Sequence, residues 1–227
     1  DHPPFLKPLP ERPRLSESQQ GEEHDPVSTA PSMKRKQKSW RAAGKQTKHT
    51  DFIKPMLAAA AEEPFDSDDW IFEIKWDGYR AIADLTGELQ LYSRNGLSFL
   101  GRYPPIEEGL SRQTHSMILD GEIVAYDSSG KPRFQSLQHH AENPWATLIY
   151  HVFDLLYLNG HSTRELTLLE RKELLKAALV ETSNVKYCDH VEGTGKSFHE
   201  AAQKINLEGI MAKKKSSTYR DGARSDD

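Results

Sequence analysis

Between residues 70 and 85 the chain reads WIFEIKWDGYRAIADL, and its apolar positions Trp70, Phe72, Ile74 and Trp76 alternate with Ile71, Glu73 and Lys75. A period of two is the pattern of a strand with one face on a core. The first set therefore predicts the core face, and the second a face carrying Glu73 and Lys75 side by side. Asp77-Gly78 predicts a tight hairpin turn, with Tyr79 to Leu85 returning as a second strand. Lys75 then falls at a strand end, where loops and ligands meet. Further on, ELQLYSRNG alternates Leu89 and Leu91 with Gln90 and Tyr92 before an Asn95-Gly96 turn, which predicts a strand that delivers Arg94 to a loop. MILDGEIVAYD predicts two short strand-like pieces about Asp120-Gly121, with Glu122 just past the turn. The segment ATLIYHVFDLLYLNG is strand-like through Tyr150, Val152 and Phe153, and ELTLLERKELLKAALV is amphipathic at helical spacing through Leu166, Leu169, Leu174 and Ala178. NVKYCDHV returns to strand, KSFHEAAQKIN predicts a short helix, and EGIMAKKK a strand after it. Many strands with irregularly placed helices and no internal repeat predict an α+β fold of mostly antiparallel sheets with flanking helices.

Composition divides the chain. Its 227 residues are 36% hydrophobic and 28% charged, enough for one sizeable core or for a domain with an extension. Residues 1–50 are rich in Pro, Ser, Glu, Gln and Lys without a sustained period, and predict a disordered, proline-rich and basic N-terminal extension; the ordered domain is expected over 51–227. The net charge of −4 hides an asymmetry, with +4 on residues 1–50 and −8 on the remainder. The cations concentrate in KRKQKSWRAAGKQTK, seven with no anion among them, which suits either a phosphate-bearing partner or a solvated linker. An acidic body does not exclude nucleic acid, because local clefts govern contact. A single cysteine, Cys188, excludes an internal disulfide framework, and no HxxxH or CxxC spacing suggests structural zinc. The apolar runs are too short to cross a bilayer and the N-terminus is too polar for a signal peptide, so a soluble protein in a reducing, cytoplasmic setting is expected, with no membrane partner. The first residue is Asp, and a processed or excised piece of a longer protein is expected.

Two features imitate functional motifs. HVEGTGKS follows a strand and opens a helix, as a P-loop does, but the position where a P-loop requires its first Gly is His190. The adjacent His139 and His140 point to different sides of any regular element and read as surface histidines. The remaining candidates are scattered: the cations Lys75, Arg80, Arg94 and Lys213, and the carboxylates Glu73, Glu122 and Glu208, all at strand ends or turns. Singly, each reads equally as a snorkelling lysine, a turn cap or an exposed strand residue.

Together they form an ordered set. KWDGYR (Lys75, Asp77, Gly78, Arg80), SRNG (Ser93 to Gly96), ILDGEIV (Asp120 to Glu122), HVFDLLYLNG (Phe153, Asp154) and EGIMAK (Glu208 to Lys213) occur in that sequence. This order resembles the covalent nucleotidyltransferases, the superfamily of ATP-dependent DNA ligases, RNA ligases and mRNA-capping guanylyltransferases. The fuller wording FIKPMLA, IFEIKWDGYRA and YRDGARS is most similar to the ligase domain of the bacterial DNA ligase D family, which serves end joining. The resemblance implies an adenylation domain in which Lys75 attacks the α-phosphate of ATP and becomes a covalent lysine-AMP. It implies Glu73 near the adenine, Arg80 and Arg94 near ribose and phosphate, Glu122 near ribose or metal, Phe153 stacked on the adenine with Met211 opposite, and Lys213 on the α-phosphate. Glu208, with Glu122, is the implied ligand set for Mg²⁺ or Mn²⁺, which prefers hard oxygens. Only a neutral amine is nucleophilic, and Arg80, Lys213 and the metal are expected to favour that form of Lys75. The implied partners are nicked or broken double-stranded DNA and a Ku-like end-binding protein, at the bacterial nucleoid. The chain ends at ARSDD, where the family continues into a WxKxK motif and an oligonucleotide-binding domain, so a truncated adenylation domain is expected. An RNA ligase or capping-type enzyme, or a non-catalytic DNA-binding module, are the alternatives.

Overall fold

A computed structural model describes residues 52–140 and 145–225. The predicted N-terminal extension and its basic run lie outside the described residues.

The chain folds as antiparallel sheet with few helices. β1 (Leu57–Ala58) is followed by β2 (Ser67–Ile74), β3 (Tyr79–Asp84), β4 (Gln90–Ser93), α1 (Pro104–Ser111), β5 (Met117–Tyr126), α2 (Phe134–Gln138), β6 (Thr147–Leu158), β7 (His161–Ser162), α3 (Leu168–Ala178), β8 (Val185–Tyr187), β9 (Val191–Gly193), α4 (Gly195–Lys204), β10 (Ile210–Lys214) and β11 (Arg224–Ser225). The larger sheet runs β4-β3-β5-β6-β7, with β8 parallel to β6; the smaller runs β10-β2-β9. β1 and β11 form a short parallel pair.

The main core lies between the larger sheet and two helices. Leu91, Leu119, Ile123, Val152 and Leu155 pack with Ile106 and Leu110 of α1 and Leu175 and Ala178 of α3. Each of the Leu, Ile and Val side chains contributes about 1.5–3 kcal/mol on burial. Proline at the start of α1 presets the helical φ. α3 starts with a full capping box, in which Thr167 accepts from the Glu170 amide and Glu170 returns to the Thr167 amide.

Several sequence expectations are corrected. β2 and β3 are not a hairpin, because they belong to different sheets and Asp77-Gly78 carries the chain across. A Cβ on Gly78 would lie 2.1 Å from the Ile123 carbonyl oxygen, so this glycine permits a close backbone pass and makes no hairpin turn. The two pieces expected about Asp120-Gly121 are one strand, β5, paired along its whole length with β6 through local register irregularities. A Cβ on Gly121 would meet the His151 carbonyl oxygen at 2.5 Å. β2 has no simple inner and outer face: Ile71 and Glu73 are as buried as Phe72, while Trp70 and Ile74 are half-buried. The expected apolar face of α3 is also wrong in part. Leu166 precedes the helix, Leu169 and Leu174 are half-buried, and the inner stripe is Leu168, Arg171, Lys172, Leu175 and Ala178.

Candidate functional site

The two main sheets face each other across a cleft of about 800 Å³, within the range that encloses small ligands. β2 and β10 supply Glu73, Met211 and Lys213; β3 and β6 supply Arg80 and Phe153; β5 supplies Asp120 and Glu122; and the loop after β4 supplies Arg94. Every nucleotide-binding candidate from the sequence therefore lines one cavity, although the sequence spreads them over some 140 positions.

Lys75 stands at the end of β2. Its amide donates to the Gly209 carbonyl at 3.0 Å, which fixes the strand end beside Glu208, and its ammonium donates to Glu208 Oε1. Both side chains remain open to water, at 46% and 41% exposure. Deeper in, Glu73 accepts from Lys172 Nζ and from Lys213 Nζ, each at 2.5 Å. Burial alone would push the Glu73 carboxyl up, but Lys213 and Lys172 together outweigh it and hold the group below the ordinary carboxylate range. Lys172 also donates to the Cys188 carbonyl at 2.6 Å.

Met211 pairs across the sheet with Glu73. Phe153 has the Arg80 guanidinium 4.5 Å and the Lys213 ammonium 4.3 Å from its ring centroid. Arg80 is committed to Asp120, with Nε and Nη2 on the two carboxylate oxygens at 2.5 and 2.7 Å. Despite burial, this pair keeps the guanidinium charged. Tyr219 donates to the same carboxylate at 2.7 Å and accepts from the Met56 amide at 3.0 Å. Next to Phe153, Asp154 also lines the cleft and takes both Nε and Nη2 of Arg171, at 2.7 and 2.9 Å. The cations expected to act on Lys75 are thus each engaged by a carboxylate, Arg80 by Asp120 and Lys213 by Glu73, which Lys172 shares.

The carboxylates fit a divalent cation. Burial pushes the Glu122 carboxyl up to about 8; Arg80 opposes this, and Asp120, Asp77 and Glu208 add to it. These hard oxygens suit Mg²⁺, which takes one or two protein carboxylates and completes its shell with phosphate and water. Among the described residues no group of three or more His, Cys, Asp or Glu side chains is gathered for a metal.

The sequence reading missed Asp120, Arg171, Lys172 and Tyr219 as site-builders. One signal was present: Leu168, Arg171, Lys172 and Leu175 fall at i, i+3, i+4 and i+7, which puts two cations on the buried stripe of α3. Trp76, beside the lysine, stacks on His151 at 4.0 Å and 14° and donates to Cys188 Sγ at 3.5 Å. It separates the cleft from a neighbouring cavity of about 400 Å³. The P-loop imitation is sealed: at the start of α4 the Lys196 amide donates to Asp66 at 2.9 Å, and a Cβ on Gly195 would lie 2.2 Å from the Phe65 carbonyl oxygen. His139 and His140 sit at the end of α2 and do not line the cleft.

Comparison with known proteins agrees with this geometry. A family model described as ATP dependent DNA ligase domain matches residues 55–227. The multifunctional non-homologous end joining protein LigD of Mycolicibacterium smegmatis is 36% identical over 184 residues, which is 80% of this chain and 24% of that protein. The SPbeta prophage-derived DNA ligase-like protein LigB of Bacillus subtilis is 30% identical over 77% of this chain and 65% of its own length. The chain thus spans about a quarter of the first relative and under two thirds of the second. The crystal structure of the ligase domain from M. tuberculosis LigD superposes with a TM-score of 0.67 at 31% identity, covering 76% of this chain and 58% of that one. A mycobacterial DNA ligase D complexed with ATP and MES gives the same TM-score at 32% identity over 77% and 58%. The ATP-dependent ligase of bacteriophage T7, at 15% identity and TM-score 0.51, shares the fold alone. With its five motifs gathered on one cleft between antiparallel sheets, this chain belongs to the ATP-dependent DNA ligase domain family.

Proposed function

We propose that the chain is the adenylation domain of an ATP-dependent DNA ligase that serves end joining or repair. The observation carrying this reading is the meeting of Lys75, Glu73, Phe153, Met211 and Lys213 on one cleft, with a lysine at its open mouth. Adenine fits between Phe153 and Met211, where the anionic Glu73 accepts from a purine amino group. Arg94, exposed at the lip, and Arg80 serve the ribose and phosphates, and Lys213 the α-phosphate. Lys75 leaves Glu208, loses its proton to water at the mouth, and its amine attacks the α-phosphorus. A nitrogen–phosphorus bond forms as the bond to the bridging oxygen breaks, and pyrophosphate departs. Glu208 and Glu122 would hold a divalent cation whose charge offsets that of the phosphate oxygens. AMP then passes to a 5′-phosphate on broken DNA, and a 3′-hydroxyl displaces it. DNA, a Ku-like end-binding partner and a nucleoid setting belong to this same reading.

The test is incubation with α-labelled ATP and Mg²⁺, followed by denaturing electrophoresis. Wild type is expected to retain label, and Lys75→Ala to lose it by about a hundredfold or more, since no other group replaces a covalent nucleophile. Labelling by GTP in preference to ATP would move the protein to the capping-type enzymes. Label that persists in Lys75→Ala would overturn the assignment of the nucleophile.

A further inference from the structure

The Glu73 carboxylate has two ammonium partners, and they differ in freedom. Lys172 is 2% exposed, is held by the Cys188 carbonyl as well as by Glu73, lies 4.5 Å from the Tyr187 ring centroid, and comes from the buried stripe of the capped helix α3. Lys213 is 20% exposed, lines the cleft and rests on the Phe153 ring. One carboxylate thus holds a fixed cation from behind and a movable one from the cleft side. If Lys213 were the sole counterion, moving it to a phosphate would strand a bare carboxylate in the interior, which is among the costliest arrangements a protein can adopt.

We infer that Lys172 is a positioning residue, the permanent counterion of Glu73, whose presence allows Lys213 to exchange Glu73 for the phosphate of the bound nucleotide. The inference rests on the proposed nucleotide reading of the cleft, because it needs an anion to receive Lys213. Lys172 touches neither nucleotide nor reacting atoms. It acts by making Lys213 dispensable to Glu73, and it keeps Glu73 an anionic acceptor after the exchange. Removing the Lys172 charge should leave Glu73 holding Lys213 more tightly, so that phosphate capture is slowed more than the purine contact is weakened.

The experiment uses the full chain as wild type, Lys172→Met, Lys172→Arg and the double variant Lys172→Met with Glu73→Gln. The first readout is the rate at which an amine-acylating reagent modifies Lys213 in the nucleotide-free protein, followed by peptide mass spectrometry. Lys172→Met is expected to slow acylation about fivefold to tenfold, Lys172→Arg to keep the wild-type rate, and the double variant to exceed Lys172→Met because the neutral amide no longer holds Lys213. The second readout is lysine-AMP formation, where Lys172→Met should lower the rate at saturating ATP about tenfold and shift KM by less than about threefold. If Lys172→Met fails to fold, Lys172→Gln reads the same quantities with a donor kept on the Cys188 carbonyl. Equal Lys213 acylation in wild type and Lys172→Met, or a change in KM alone, overturns the inference. Failure of wild type to bind or become labelled by ATP would overturn the nucleotide reading instead, while the acylation rates still report on the exchange.

Discussion

The two walls of the cleft both rely on paired cations and carboxylates, yet they use them oppositely. On the larger sheet, Asp120 and Asp154 sit opposite each other on β5 and β6, and each takes a guanidinium in two-pronged contact, Arg80 on one and Arg171 on the other. On the smaller sheet, Lys75 meets Glu208 in the open and Lys213 meets Glu73 at the cleft edge, each through a single flexible ammonium. A planar fork in a dry site fixes direction as well as charge, whereas an ammonium on a four-carbon stem can change partners. The first wall is a template and the second a set of movable groups. Side-chain shape decides which is which, since Arg80 at 23% exposure is no drier than Lys213 at 20%.

That contrast can be broken most severely at Asp154. Asp154→Ala leaves Arg171 buried without its carboxylate, and urea unfolding is expected to show a loss of about 3–5 kcal/mol. A loss below about 1 kcal/mol would mean that the template wall tolerates opening as readily as the other. Acid should act on the same wall. Burial lowers the His151 imidazole to about 4 from an ordinary 6.5, so it stays neutral in the fold while the unfolded chain takes up a proton. This contribution is therefore full above pH 6.5 and falls as pH drops toward 4, by at most about 3.4 kcal/mol at 1.36 kcal/mol per unit. Proton NMR should find the His151 ring untitrated until near pH 4; titration near 6.5 would refute the point. Glu73 and Asp154 are both held low, so their contributions are present above the ordinary carboxylate values and vanish only as pH falls through the lowered ones. The mildest effect belongs to the movable wall. Glu208→Gln should change unfolding free energy by less than about 1 kcal/mol, as exposed pairs do, while reducing Mg²⁺-dependent labelling of Lys75. A large stability loss would make Glu208 a structural group.

The strand order of the movable wall was only partly readable in the chain. Alternation located β2 and placed Lys75 at its end, because a two-residue period survives whatever sheet the strand joins. It could not tell that β3 crosses to another sheet, since Asp77-Gly78 suits a turn and a close backbone pass equally well and only the Ile123 carbonyl shows which. The template wall was less legible still. Asp120 and Asp154 were seen as motif letters, but their partners come from 40 positions upstream and 17 downstream, distances over which period carries no information. Lys172 was hidden for another reason: hydrophobic periodicity counts apolar residues, and the inner stripe of α3 is partly cationic.

The contact between Tyr219, Asp120 and the Met56 amide joins segments 163 residues apart, and β11 closes alongside β1 in the same place. Synthesis proceeds in one direction, so during translation the first strand must wait for nearly the whole described chain before this clasp can form. Until then Asp120 lacks its tyrosine and the Arg80 wall lacks its cover. A nascent chain halted before Tyr219 should carry most of its core yet lack this clasp, with Asp120 held by Arg80 alone.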